Sequence, residues 1–483
     1  MTRPMQGGIV LAAINAKWIH PALSLRLLKA NLGPLEEYCS IMEFALRQPL
    51  REKIEAIAVT RPRILGLSVS IWNHSAALEL LKELHQTWGT GNCPVIVIGG
   101  PEVSYLPREA EIFCYADYCV LGEGETAFRE LCETIFEKGE GKKSEIVFVN
   151  RDFQQVDVNS VKSAYHLYSD EDIRKKLIYV EASRGCAFGC EFCQSTHSAA
   201  VREFLLEPFL AEMGDLIRRG TKTFKFLDRS FNLNIERARR IMGFFLEKIE
   251  EQTEPFIVHF EMVPSRFPPE LIETIARFPP GTLRLEIGIQ TLNPETAARI
   301  GRPSKPDQEL AVLARLREKT SAIIHADLIA GLPGEDMASF GRGFDLLVTA
   351  LHRMETRGPA AETPEATGAK TEIQLGILKL LPGTPIARHT VPFGMRYNPL
   401  APYEVIETAA IPVRDLNRVK NFARFWEIIV NREFIPIDAF RHSKISSLFD
   451  RFMALSDALF ARFGRNWGID KHELLEAIHE LYQ

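Results

Sequence analysis

No apolar run in this 483-residue chain approaches the roughly 18 residues that a membrane-spanning helix needs, so no span is expected. The opening Met1-Thr-Arg-Pro-Met-Gln-Gly-Gly-Ile9 lacks the charged start, apolar stretch and cleavage site of a secretory signal. A cytoplasmic location is the expectation. Positive charge is in deficit: 58 Lys and Arg against 63 Asp and Glu give a formal net charge of −5. The chain thus lacks the general basic field that holds nucleic acid, and no nucleic-acid partner is expected. Arg237, Arg239 and Arg240 do cluster, as a solvated helix face would. Cysteine is sparse. Eight thiols without a secretory signal speak against a disulfide framework and leave reduced sulfur for metal work. No period of 20 to 50 residues marks a repeat array.

What is present is an alternation of strands and helices. Apolar segments 8–14, 40–44, 64–70, 95–98 and 118–121 have the pattern of buried parallel strands, with helical spacing over 23–31, 75–86 and 125–138. Five such units imply a doubly wound, Rossmann-like α/β domain over residues 1–140. Residues 141–170 are polar and acidic and are expected to be a linker. A second series places strands at 177–181, 223–227, 257–262, 283–290, 322–330 and 372–380, with helices such as 236–251 and 307–319. Six repeats imply a partial (β/α)6 TIM-type barrel over 171–390. The Pro-, Gly-, Ala- and Thr-rich stretch 355–370 has the composition of a mobile insertion before the sixth strand. Beyond it the pattern turns helical. Leu416, Val419, Ala423, Trp426 and Val430 recur at three and four, as do Ile445, Leu448, Phe452, Leu455, Leu459 and Phe463. A third helix is expected over 470–482, capped by Asp470, which makes 391–483 a helical C-terminal domain.

Chemistry is concentrated in Ser183-Arg-Gly-Cys-Ala-Phe-Gly-Cys-Glu-Phe-Cys-Gln194, just past the first barrel strand. Cys186, Cys190 and Cys193 stand at C-x3-C-x2-C, and Gly185 and Gly189 let the backbone wrap a bulky inorganic core. Three thiolates can hold three irons of a cubane and leave the fourth open. The rival reading is a structural zinc with His197 as fourth ligand. A loop at the top of a barrel strand favours a reactive site over a structural clip. Cys39, Cys93, Cys114, Cys119 and Cys132 are scattered and take the ordinary role of small buried hydrophobes.

The cysteine spacing, with aromatic Phe192 before the last thiol, resembles that of the radical S-adenosylmethionine (SAM) enzymes. The resemblance continues in Phe226-Leu-Asp-Arg-Ser-Phe-Asn-Leu-Asn234, which carries Asp228, and in Leu285-Glu-Ile-Gly-Ile-Gln-Thr291 followed by Arg302. His325-Ala-Asp-Leu-Ile-Ala-Gly-Leu-Pro-Gly-Glu335 and Leu380-Leu-Pro-Gly-Thr-Pro385 complete the set. It implies that the three cysteines hold a 4Fe-4S cluster whose open iron chelates the amino and carboxylate groups of SAM, and that an electron then splits SAM to a 5′-deoxyadenosyl radical. Phe192 would shield the cluster. Glu261, Glu286, Gln290 and Asp327 lie near strand ends, placed for the ribose hydroxyls or methionine head group of SAM, with Arg302 for its carboxylate. Gly331 and Gly334 would admit the adenine.

Open doubly wound sheets bind ligands at the carboxyl ends of their strands. Here those loops are Asn15-Ala-Lys-Trp-Ile-His-Pro21, Ser70-Ile-Trp-Asn-His-Ser75, Gly99-Gly-Pro-Glu-Val-Ser-Tyr105 and Gly122-Glu-Gly-Glu125. Ahead of such a barrel they resemble the cobalamin-binding domain of cobalamin-dependent radical SAM enzymes. That resemblance makes Asn15, His20, Ser70, Trp72, Gly99, Gly100, Gly122 and Glu123 candidate cobalamin contacts. The D-x-H-x-x-G motif that puts histidine on cobalt has no match, so base-off cobalamin without a histidine ligand is expected. The C-terminal region resembles an uncharacterised extension found on some members.

The resemblance implies methyl transfer to an unactivated carbon of an unidentified substrate, with flavodoxin or ferredoxin as electron donor. A cobalamin-dependent rearrangement or cyclisation and a non-enzymatic cobalamin or SAM sensor are the alternatives. RNA methylthiolation fits less well, since that branch groups further cysteines N-terminally and Cys39, Cys93 and Cys114 are not so grouped.

Overall fold

The computed structural model describes residues 7–88, 93–139, 143, 145–197, 200–252, 254–302, 304–352, 370–440 and 447–481. The insertion expected at 355–370 lies outside them except for Lys370, and Ile445 lies outside them too. Among the described residues no helix is long and apolar enough to cross a membrane.

The first sheet is all parallel, in the order β2-β1-β3-β4-β5-β6. Its strands are β1 (Ile9–Asn15), β2 (Cys39–Ala45), β3 (Ile64–Ser68), β4 (Val95–Gly99), β5 (Tyr118–Val120) and β6 (Val147–Val149). Between them run α1 (Leu23–Ala30), α2 (Leu50–Thr60), α3 (His74–Trp88), the short α4 (Pro101–Tyr105) and α5 (Glu125–Lys138). β1 is buried at every position because both faces of the sheet are covered, so an apolar run rather than an alternation marks it in sequence. The sheet extends one strand further than expected. β6 pairs with β5 inside the segment assigned to a linker, and its three half-buried residues are too few to show a period.

The second sheet follows α6 (Asp170–Lys175), in the order β14-β13-β12-β11-β10-β7 and again parallel. It begins with β7 (Ile178–Val180). A two-residue antiparallel ribbon then joins β8 (Ser183–Arg184) to β9 (Arg202–Glu203), leading through α7 (Leu206–Arg218) to β10 (Thr223–Phe226). Next come α8 (Ile235–Glu251), β11 (Ile257–Met262), α9 (Pro269–Ala276), β12 (Leu283–Gln290), α10 (Pro294–Arg299) and α11 (Pro306–Lys319). β13 (Ile323–Ala330), α12 (Met337–Leu351) and β14 (Thr371–Ile377) close the series. The edges β7 and β14 do not pair, so the barrel is partial and open on one side, as expected. Burial alternates strictly along β12 and β13, with the fully buried residues outward under the helices and Arg284, Glu286, Gln290, His325 and Asp327 on the inner face. Lys225 of β10 reaches Glu286 of β12 at 3.2 Å across the intervening β11, which requires both to point into the barrel.

A small ribbon, β15 (Arg396–Tyr397) with β16 (Val405–Glu407), leads to α13 (Val413–Trp426), α14 (Leu448–Phe463) and α15 (Lys471–Leu481). Asp470 caps α15 as expected, its Oδ1 accepting from the His472 amide at 2.8 Å. These helices do not form a separate core. Phe422, Trp426 and Phe452 pack with Phe344 of α12 in the core of the barrel itself. Asn431 hydrogen-bonds both the amide and the carbonyl of Ile373 on β14, at 3.1 and 3.0 Å, and so blunts the free edge.

Candidate active site

The cysteine loop is the segment that the β8–β9 ribbon closes. Cys190 is buried, while Cys186 and Cys193 are partly open. Burial pushes the Cys186 thiol up, and the neighbouring Cys190 and Cys193 add to that shift. Glu191 anchors the loop. Its amide donates to the Ile300 carbonyl at 2.9 Å, and its carboxylate lies 2.9 Å from His389 Nε2 and is also paired with Arg388. Phe192 packs against the barrel core, which is the bland role available to it.

The donor set discriminates between the two metals. Among the described residues no three His, Cys, Asp or Glu side chains converge on a single-ion site. Tetrahedral zinc needs its sulfurs within roughly 4 Å of one another, whereas a cubane holds its three thiolates further apart. His197, the fourth ligand of the zinc reading, stacks instead on Tyr105, with centroids 4.5 Å apart. Three unpaired thiols on one short loop and a glycine at 189 with open surroundings fit a 4Fe-4S cluster.

The acids expected to meet SAM all lie at the mouth or on the inner wall of the barrel, but each has protein partners. Asp228 is buried and accepts from the Ala182 amide at 2.9 Å and the Ser183 hydroxyl at 2.6 Å, so it holds the entry to the cysteine loop; burial pushes its carboxyl up to about 7. Glu261 meets Arg229 at 3.3 Å. Glu286 lies between Lys225 at 3.2 Å and His259 at 3.1 Å, which overcome the effect of burial and hold its carboxyl below the usual range. His325 Nε2 and Asp327 Oδ1 are 2.9 Å apart, yet neither forms an aligned hydrogen bond. Gln290 sits at a bulge with φ of 70°. Arg302 does reach the cysteine loop, with Nη1 3.5 Å from Cys190 Sγ and Nη2 2.5 Å from the Gly288 carbonyl. The side of Gly331 that a Cβ would take is filled by Val405 and Leu416, and that of Gly334 by Arg299 and Phe393.

Lys225, His259, His325 and Arg229 were not singled out in sequence, because nothing local separates an inward cation from an outward one. For Lys225, His259 and His325 the period-2 placement along their strands was the available signal, whereas Arg229 lies in the turn after β10 and had none.

Glu335, at the turn after β13, accepts from Thr291 at 2.7 Å and Ser339 at 3.2 Å through Oε1 alone, and burial pushes it up to about 7. The native state therefore holds a proton that the unfolded chain has released. This contribution to stability is fully present below about pH 4.5 and is lost as pH rises through about 7. Glu335→Gln is expected to remove a loss of roughly 2–3 kcal/mol between pH 5 and 8, measured by urea unfolding at both ends.

The loops of the first sheet face the barrel mouth. Asn15 donates to Glu43 at 3.1 Å, and the Ser70 amide donates to Asn73 at 2.8 Å. His20 Nδ1 lies 2.8 Å from the Tyr179 hydroxyl of β7, and His74 Nδ1 lies 3.0 Å from buried Glu102, which also accepts from Tyr403 at 2.5 Å. Gly100 has φ of 113° and a Cβ there would lie 2.5 Å from the Val69 carbonyl, so only glycine fits; Gly122 is likewise left-handed, and Gly99 precedes them at the strand end. Glu123 faces Arg202 of β9 rather than open space. Trp72 is half-exposed on this edge, and Trp18 is half-exposed with Lys176 over its ring. An edge with close-packed glycine turns and two flat apolar rings fits a corrin.

Sequence and structure comparisons agree with this geometry. Residues 9–132 match the B12 binding domain family, and residues 180–347 match the Radical SAM superfamily. The chain is 28% identical over 204 residues to ribosomal protein uS12 methylthiotransferase RimO of Chloroflexus aurantiacus, covering 39% of this chain and 44% of that one. It is 26% identical over 216 residues to 2-(S-pantetheinyl)-carbapenam-3-carboxylate methyltransferase of Streptantibioticus cattleyicolor, covering 38% and 30%. The chain thus spans less than half the length of these curated relatives. Among solved structures it resembles the radical SAM methyltransferase TsrM from Kitasatospora setae with cobalamin and a [4Fe-4S] cluster bound, at TM-score 0.60 and 17% identity over 85% of this chain and 83% of that one. It also resembles the cobalamin-dependent SAM radical enzyme OxsB with aqua-cobalamin and SAM bound, at TM-score 0.63 and 15% identity over 99% and 75%. The chain belongs to the radical SAM enzymes that carry a B12-binding domain, whose cofactors are a 4Fe-4S cluster, SAM and cobalamin.

Proposed function

We propose that this enzyme is a cobalamin-dependent radical SAM methyltransferase acting on an unactivated carbon. One observation carries the reading: the cysteine loop is seated directly on the corrinoid edge of the first domain. Gln194, next to Cys193, donates from Nε2 to the Pro101 carbonyl of that edge and to Pro382 of the barrel, both at 3.2 Å. The two cofactor sites therefore share one cleft. When bound, the cluster supplies the electron that splits SAM and the corrinoid supplies a transferable methyl group. The chain's own residues orient and enclose: Asp228 sets the start of the cysteine loop, Arg302 braces Cys190, and the Val405 segment closes the β13 turn.

Base-off cobalamin without a histidine ligand is favoured because no D-x-H-x-x-G motif stands in the loops of the first domain. Methylthio transfer is disfavoured. Cys39 opens β2, Cys93 precedes β4 and Cys114 lies between α4 and β5, so these N-terminal cysteines are not grouped as a second cluster site would need. Reduced thiols and a low-potential step suit a cytoplasmic setting with flavodoxin or ferredoxin as donor. The test is anaerobic turnover of reconstituted protein with methyl-labelled SAM and a strong reductant, on extracts of candidate small molecules. Label in a product together with 5′-deoxyadenosine supports methyl transfer; 5′-deoxyadenosine with a changed but unlabelled product supports rearrangement; no 5′-deoxyadenosine above background removes both.

A further inference from the structure

The ribbon that closes the cysteine loop is an unfavourable piece of structure when considered alone. β8 and β9 contribute two residues each, and their register puts Arg184 directly opposite Arg202. Directly opposed residues of an antiparallel pair share a face, and like charges there repel. So short a ribbon has almost no pairing energy with which to resist.

Both arginines meet a carboxylate from one place, and Arg184 has a second in Glu181. Arg184 Nη2 lies 2.7 Å from Glu125, and Arg202 forks onto both carboxylate oxygens of Glu123. Glu123 and Glu125 alternate in Gly122-Glu-Gly-Glu125, the loop between β5 and α5 on the corrinoid edge. Further bonds hold the arrangement in register. Arg184 also grips Glu181 through Nε at 3.0 Å, Arg202 Nη1 donates to the Val156 carbonyl at 2.7 Å, and the Val156 amide returns a bond to Glu123 at 2.8 Å. The side chains of Arg184 and Glu125 are 11% and 7% exposed, so this pair is shielded from screening, and its loss would leave Arg184 with Glu181 as its one carboxylate partner while it still faces Arg202.

We propose that Glu123 and Glu125 are positioning residues that close the base of the cysteine loop from the B12-binding domain, so that ordering of the corrinoid edge is transmitted to the cluster ligands. This reassigns Glu123, expected to contact cobalamin, to the neighbouring loop. The corrinoid half of the inference rests on the proposed two-cofactor cleft; the closure itself does not. Seating of the loop tip, by the Tyr105–His197 stack and the Gln194 bridge, follows once the base is shut.

The test is hydrogen–deuterium exchange of peptides covering 185–197 in the full chain, with and without hydroxocobalamin, with corrinoid retention read from its absorbance. In the wild type, cobalamin is expected to slow this exchange at least about tenfold. The double variant Glu123→Gln, Glu125→Gln is expected to exchange at least about tenfold faster and to have lost the response to cobalamin. The charge swap Glu123→Arg with Arg202→Glu keeps the ion pair and is expected to restore slow exchange, and with it the wild-type electron paramagnetic resonance signal of the reduced, SAM-bound cluster. Should the double variant not fold, the swap against Arg202→Glu alone makes the same comparison. Retained corrinoid with unchanged exchange in the wild type overturns the transmission. Equal exchange in the charge-broken and wild-type proteins overturns the closure. Absence of retained corrinoid removes the two-cofactor cleft and the transmission with it, while the substituted proteins still decide the closure.

Discussion

Replacing Cys186, Cys190 and Cys193 together with alanine is expected to take bound iron from about four per chain to near none, and reductive SAM cleavage to background, a fall of roughly 10³-fold or more. The argument is one of ligand supply. Cys39, Cys119 and Cys132 are buried, and Cys93 and Cys114 lie elsewhere on the first domain, so among the eight cysteines no other set can take over the cluster. Single substitution at Cys190 is expected to be nearly as severe. That sulfur is the buried one of the three and the one that Arg302 Nη1 approaches at 3.5 Å, so alanine removes a ligand and takes away the sulfur that the guanidinium contacts. The fold should persist, because the loop contributes only Phe192 and Cys190 to apolar packing and the barrel core lies on the other side of its strands. Iron and sulfide analysis beside far-ultraviolet circular dichroism checks both halves. Zinc in the wild type at one per chain, in place of iron, would defeat the assignment.

The strands that position this site were visible in sequence for two separate reasons. In the first sheet, full burial writes an apolar run, as in β1. In the barrel, half-burial writes an alternation, as in Leu283–Gln290, which set both the strand and its inward face. The cysteines were legible because their spacing is local. The elements that hold them were not. The β8–β9 ribbon has two residues a side, β6 has three, and the bonds from Gln194 to Pro382 and from Glu191 to His389 join positions 188 and 198 residues apart. Glu123, Glu261 and Glu286 were found as acids at strand ends, but their cationic partners come from other elements, and only the folded chain brings them together. The C-terminal helices were visible as helices, yet their fusion with the barrel core rests on Phe344 meeting Phe422 and Trp426, which no local pattern encodes.

Gly301→Ala is expected to be the most damaging single substitution outside the cysteines, lowering iron incorporation about tenfold or more while the barrel stays folded. Gly301 follows α10 with φ of 68°, a left-handed position that costs an L-residue roughly 1–2 kcal/mol. The larger effect is steric. An alanine Cβ would lie 2.6 Å from the Gly189 carbonyl and 3.4 Å from Glu191 Cγ, so the new methyl presses on the backbone of the cysteine loop immediately before Cys190. The loop cannot yield toward the barrel. The Glu191 carbonyl accepts from the Ile386 amide at 3.0 Å, and its carboxylate is held by His389 and Arg388, which pin the far side. Relief must come by moving Gly189 outward, which shifts Cys190 away from Cys186 and carries it off Arg302. Gly220→Ala separates the two contributions. Gly220 has φ of 91° and nothing within 4 Å of where a Cβ would stand, so it bears the backbone cost alone. Both variants should lose a few degrees of thermal stability, and only the substitution at 301 should lose iron. Equal iron content in the two proteins would show that the seam between Gly301 and Gly189 does not govern the cluster ligands.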